Sequence, residues 1–256
     1  MPDAKHIVKA YAQEILHLRD LLTRMGGLVE NQLQLATQAI VEQDSAAGAR
    51  AVEIDPQVDG LEREAEQFVI RLLALRQPMA QDLREIVAGL KITGDLERIG
   101  DYAANVAKRS MVLNQFQLPF SMGGIATMSR LVQENLKLVI DAVGEADAEK
   151  ANQVWRSDQA IDDLYNGLFR ELITYMMEDP RQITPCTHLL FIAKNLERIG
   201  DHATNVAETM YYAITGEVLP DARPKGDTSA YAVIRMRDDE NRAPRDADQP
   251  DMAREA

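Results

Sequence analysis

The chain has 256 residues, 46% hydrophobic and 27% charged, enough apolar content for one large domain or two small ones with a packed core. Its 28 Lys and Arg stand against 41 Asp and Glu, a formal charge of −13 that repels phosphate backbones and argues against nucleic acid as a partner. The single cysteine, Cys186, excludes an internal disulfide and a cysteine-built zinc site. The opening stretch MPDAKHIVKAYAQEILHLRD is charged throughout and has no apolar centre, so it does not read as a signal peptide. No run approaches the roughly 18 unbroken apolar residues of a membrane span. The expectation is a cytoplasmic protein that meets membranes only through partners.

Taken in chain order, Ile7, Tyr11, Ile15, Leu18 and Leu22, then Leu33, Ala36 and Ile40, recur at spacings of three and four and predict a long first helix. RMGGLVE (24–30) places paired glycines within it. No strand precedes them to make a phosphate loop, so a flexible or closely packed point is expected. Asp44 predicts a cap for a short helix ending near Ile54, and Asp55-Pro56 a restart with proline in the first turn. A further helix reaches Arg76 and is broken at Gln77-Pro78, after which a long helix runs from about Gln81 to Leu113. A linker spans Leu118-Pro119 to Gly123-Gly124. The second half repeats these events: a helix near 122–143, a cap at Asp147, a restart at Asp158, a break at Asp179-Pro180 and a last helix from about Pro185 to Thr215. Beyond Gly216 the composition shifts to Pro, Asp and Arg, which predicts a disordered tail whose one apolar island is YAVIRM (231–236).

The repetition is in the letters as well as in the plan. Residues 95–107 read DLERIGDYAANVA and residues 195–207 read NLERIGDHATNVA, an offset of 100. Asp44, Asp55, Asp59 and Leu61 align with Asp147, Asp158, Asp162 and Leu164 at an offset of 103, and Pro78 aligns with Pro180 at 102. Long helices joined by short loops make antiparallel bundles, and no alternating stretch supports a sheet. The fold class read from the chain is all-α, in two similar halves.

Within ERIGD the acids lie four apart, so Glu97 and Asp101 share a helix face, as do Glu197 and Asp201. Asp55 and Asp59 are likewise four apart, as are Asp158 and Asp162. Folding the first hairpin about position 78.5 sets Asp59 opposite 98 and Asp55 opposite 102; folding the second about 180.5 sets Asp162 opposite 199 and Asp158 opposite 203. Each half therefore gathers four carboxylates at one height on neighbouring helices. Gathered like charges repel unless something positive lies between them. For a lone ExxxD, a solvated acidic face with Arg98 or Arg198 as a weak surface partner would suffice. Recurrence in both halves favours a cation site. Oxygen-only ligands suit Mg, Ca, Mn or ferric iron, and Zn accepts carboxylates too. His188 and His202 read as packing or surface residues, and the Glu-x-x-His pairs of metal-oxidase bundles are absent. Gly100 and Gly200, inside helices at a cost of roughly 1 kcal/mol each, indicate close helix approach. GxxxxGK[ST], GxSxG and CxxC motifs are absent.

RQPMAQDLR (76–84), DLERIGD (95–101), TYMMEDPR (174–181) and NLERIGDHATNV (195–206) together resemble the PhoU family of phosphate-specific transport system accessory proteins, over about residues 5–216. The resemblance implies six helices in two pseudo-symmetric three-helix bundles, residues 1–118 and 119–216, followed by the tail 217–256. It implies a non-enzymatic negative regulator of phosphate uptake and of the phosphate-starvation response. Such a protein acts as an adaptor between the phosphate ABC transporter and a membrane histidine kinase, and as a homodimer or higher oligomer. It implies metal ions, iron or zinc in multinuclear form, with Mg or Mn as alternatives, held by Asp55, Asp59, Glu97 and Asp101 in one half and by Asp158, Asp162, Glu197 and Asp201 in the other. One departure separates the halves: the first stripe continues through Glu62 and Glu66, where the second has Tyr165 and Phe169, so the two sites are expected to differ in nuclearity or affinity. Two other readings stay open at this point, a metal-independent acidic docking adaptor and a carboxylate-metal hydrolase.

Overall fold

The computed structural model describes residues 4–76, 78, 81–118 and 121–219. Six α-helices follow one another: α1 (Ala4–Val41), α2 (Ser45–Arg76), α3 (Gln81–Leu113), α4 (Gly123–Glu145), α5 (Ala148–Glu178) and α6 (Ile183–Thr215), with a 3-10 turn at Pro180–Gln182 ahead of α6. Helices α1, α2 and α3 pack on one another, and so do α4, α5 and α6. The two bundles join where α3 lies against α6 and α1 against α4. The described residues contain no strand.

The seams of the bundles explain both the fold and one departure from expectation. In α2 the buried residues Ala47, Ala51, Ile54, Val58, Leu61, Ala65, Phe68 and Leu72 alternate spacings of four and three. That phase runs through Pro56 without a break, so α2 is one helix and the restart expected at Asp55-Pro56 does not occur. Pro56 is exposed, and its missing N–H leaves the Val52 carbonyl without its helical hydrogen bond. Packing of the inner face on α1 and α3 outweighs that local loss. The restart expected at Asp158 is absent for the same reason. Helix α5 buries Ala151, Val154, Asp158, Ile161, Tyr165, Leu168 and Leu172 on one continuous seam, so Asp158 is a seam residue and not a cap.

The two caps are where the sequence puts them. Asp44 Oδ1 accepts from the Ala46 and Ala47 amides at 2.9 and 3.0 Å, and Asp147 Oδ1 from those of Glu149 and Lys150 at 2.9 and 3.2 Å. Gly216 ends α6 in the left-handed region at φ 76°, where a side chain would be strained. Arg76, at the end of α2, grips Glu14 of α1 through two bonds of 2.8 Å and ties the first hairpin's open end. Of the tail, residues 220–256, including YAVIRM, lie outside the described residues.

The bundles approach closely enough to need glycine. A Cβ on Gly26 of α1 would sit 2.5 Å from Ile140 Cδ1 and 2.8 Å from Ile140 Cγ2 on α4, which accounts for one of the paired glycines as a packing point; around Gly27 the space is open. Gly26→Ala is expected to cost about 1–3 kcal/mol in denaturant unfolding. The double variant Gly26→Ala/Ile140→Ala should lose less than the sum of the single losses. Strict additivity would place the α1–α4 approach elsewhere.

Candidate metal centre

Each hairpin does bring its carboxylates to one level. In the first bundle Asp55 and Asp59 on α2 face Glu97 and Asp101 on α3, and all four are half-buried. The proximity registers in their acidities. Burial, then Asp55 and Asp59, raise the Asp101 carboxyl above the ordinary carboxylate range. Burial, then Asp101 and Glu62, do the same to Glu97, with Asp59 adding to it. Glu62 is raised by burial, by Glu66 and by Asp59, so it belongs to the cluster. The positive charge near these groups is Arg98, 61% exposed with its Nε 3.7 Å from Glu97, Lys108 beside Asp101 and Arg63 beside Glu62. These cations pull the carboxyls down in part, but burial and the neighbouring acids outweigh them.

Behind the stripe, Gln32 of α1 is fully buried and its Nε2 donates to Asp55 Oδ1 at 3.2 Å. Its Oε1 has no hydrogen-bond partner and packs 3.1 Å from where a Cβ on Gly100 would be. Gly100 therefore admits a buried amide between α1 and α3, one residue from Asp101. Gly200 matches it in the second bundle, where a Cβ would meet Ile161 Cδ1 at 3.0 Å.

The second stripe has the same acids in a different setting. Asp158, Asp162 and Glu197 are only 3–4% exposed, and Asp201 is half-buried. Carboxylates this far from water need partners inside the protein. Thr204 Oγ1 donates to Asp158 Oδ1 at 3.0 Å. The Lys194 ammonium donates to Glu197 Oε1 at 2.9 Å and lies 4.8 Å from the centre of the Tyr165 ring on α5. At the repeat-related positions of the first bundle stand Ala104, Gly94 and Glu62. Each stripe therefore holds its four expected acids; the second adds a largely shielded ammonium bonded to one of them, whereas the Lys108 ammonium beside Asp101 in the first is exposed.

Oxygen-only donors, half-exposed and mutually repelling, suit a hard cation or zinc in the first stripe. Among the described residues no three His, Cys, Asp or Glu side chains converge as a finished cage. The first stripe is thus an open acidic face with the right donor chemistry.

His202, read from sequence as packing or surface, has a more specific place. Its Nδ1–H donates to Asp95 Oδ1 at 2.8 Å, joining α6 to α3 across the two bundles, and its ring lies 5.6 Å from that of Tyr102. A groove of about 420 Å³ also opens between α3 and α6, lined by Leu83, Arg84, Val87, Lys91, Tyr212 and Val218. The sequence reading missed both this groove and Lys194. The groove's residues come from helix segments more than a hundred positions apart, whereas Lys194 was visible as a lysine aligned with Gly94.

A sequence model of the PhoU domain matches the chain twice, at residues 22–110 and 125–210. The chain is 49% identical over 225 residues to a phosphate-specific transport system accessory protein PhoU homolog of Caulobacter vibrioides, covering 87% of this chain and 97% of that protein. Among solved structures, PhoU from Pseudomonas aeruginosa superposes with a TM-score of 0.79 at 39% identity, covering 81% of this chain and 100% of that one. The phosphate transport system regulatory protein PhoU from Streptococcus pneumoniae gives a TM-score of 0.75 at 28% identity, covering 82% and 99%.

The raised proton affinities carry a sign for stability. Glu62, Glu97 and Asp101 hold protons more tightly folded than unfolded, so their contribution is most favourable below the ordinary carboxylate range. It is lost as pH rises through the raised range just above it. In chelator-treated protein, Asp101→Asn should flatten that fall and raise the neutral-pH melting temperature by roughly 1–3 °C. Thermal melts from about pH 5 to about pH 8 test this. A slope unchanged by the substitution would mean the clustered acids do not strain the fold.

Proposed function

The chain belongs to the PhoU family, and from that membership we propose that it is an accessory regulator of phosphate transport that represses uptake and the starvation response when phosphate is plentiful. It acts as a non-enzymatic adaptor at the cytoplasmic face, between the phosphate ABC transporter and a membrane histidine kinase, and assembles as a homodimer or higher oligomer. What supports the reading is end-to-end likeness: 49% identity across 97% of a relative named for this accessory role. No described helix is long and apolar enough to cross a membrane, which agrees with contact through partners.

The same proposal includes a metal, iron or zinc first and Mg or Mn next, held by Asp55, Asp59, Glu97 and Asp101. The observation that carries this part is the set of facing carboxylates whose proton affinities rise through burial and then through mutual repulsion, since a cation lodged between them would offset that repulsion. When bound, the ion would supply fixed positive charge and hold α2 to α3 through their acids.

A second reading, an acidic docking face that needs no metal, is favoured by one observation: no closed set of three ligands exists among the described residues. The two separate in one experiment. A strain lacking the gene should express a starvation reporter in phosphate-rich medium, and the wild-type gene should silence it. Glu97→Ala/Asp101→Ala protein should be depleted of metal by elemental analysis and should fail to silence. Retained metal with lost silencing would support the docking face instead, and retention of both would remove the stripe from the function.

A further inference from the structure

The two acidic stripes share their acids and differ in what neutralises them. In the second bundle the ammonium of Lys194 bonds Glu197 on its own helix and reaches the Tyr165 ring on α5, so one positive charge spans the α5–α6 seam at the level of the acids. Lys194 is itself mostly shielded, with 29% of its side chain exposed, and the Glu197 side chain is 5% exposed. An ion pair so far from water is held by its local geometry and screened little by salt. Thr204 satisfies an oxygen of Asp158 in the same seam, and its repeat-related residue, Ala104, cannot. Tyr165 adds the face of an aromatic ring, which attracts a cation, where the first bundle has the carboxylate of Glu62.

We infer that Lys194 is the built-in counter-ion of the second stripe, taking the place of a metal there, so that this chain binds metal in its first bundle alone. The inference rests on the proposed metal binding of the first stripe only for its second clause; the role of Lys194 stands on the contacts above. A lysine ammonium and a divalent ion would compete for the same carboxylate oxygens, and the lysine is covalently tethered, so its effective concentration exceeds that of a free ion. The first stripe has no lysine at the corresponding position, which is Gly94, where a Cβ would meet nothing within 4 Å, and its one lysine, Lys108 beside Asp101, is exposed.

The test uses the full chain, stripped with chelator and titrated calorimetrically with Mn²⁺ and separately with Zn²⁺. Lys194→Ala should gain one equivalent of metal per chain over the wild type. Its melting temperature should fall in chelator and recover on adding metal, a dependence the wild-type second bundle lacks. A folded Lys194→Ala protein that gains no metal overturns the inference. If that variant does not fold, the wild-type background still decides: Glu197→Gln/Asp201→Asn should leave the metal equivalents unchanged, and a loss there overturns the inference too. Glu97→Gln/Asp101→Asn is the separate arm for the first stripe. Metal that persists in that variant defeats the proposed first-bundle site and, with it, the clause that confines metal to the first bundle. The gain in Lys194→Ala still reads out the role of the lysine.

Discussion

A carboxylate placed in the seam of a helical bundle must be neutralised from within, and both halves of this protein are shaped by that demand. The seams of α2 and α5 run at spacings of three and four with few polar interruptions, and Asp158 lies directly on one of them. Water cannot reach a seam residue that is 3% exposed, so hydrogen-bond donors and positive charge must come from the neighbouring helix. In the second bundle α6 supplies a hydroxyl donor to Asp158 through Thr204 and an ammonium to Glu197 through Lys194. In the first, the acids stay half-exposed and keep part of their hydration, and burial followed by mutual repulsion raises the proton affinities of Glu97 and Asp101. The same four acids thus give a largely buried seam with an ammonium inside it in one half and an open acidic face in the other.

The pairing of the bundles follows from a second constraint, close approach. Gly26 lets α1 come against Ile140 of α4, and α3 and α6 meet along their lengths through mixed polar and aromatic contacts. The Asp95–His202 pair lies there, with the Arg198 guanidinium 5.5 Å from the Tyr102 ring and that of Arg109 4.1 Å from the Phe191 ring. Most of these residues occupy the ERIGD helices, so the repeated segment serves two ends: one face carries the acids and the opposite face joins the halves.

Much of this was legible in the letters. Helix α3 begins at Gln81 and ends at Leu113 as the pattern indicates, because Pro78 and the loss of apolar phase mark its limits sharply. The caps at Asp44 and Asp147, the acids' common level and the doubled plan could all be read, since they depend on local spacing and loop position. The restarts at Asp55-Pro56 and Asp158 were misread because proline and acid chemistry are local signals, and the unbroken three-and-four phase that overrides them comes from packing on two other helices. The residues that distinguish the stripes, Gly94 against Lys194 and Ala104 against Thr204, are plain in the aligned repeat. Their effect depends on how far a side chain reaches across the α5–α6 seam, which an alignment does not contain. Gln32 was hidden for a similar reason, since it joins the first stripe from α1, 23 residues before Asp55.

Helix α3 places Asp95 and Glu97 two positions apart, and two steps along an α-helix turn a side chain by about 200°. Glu97 therefore looks into the first stripe while Asp95 looks toward α6 and His202. A rotation of α3 about its own axis carries these two carboxylates in opposite senses. One helix thus carries half of the acidic face and half of the joint between the bundles.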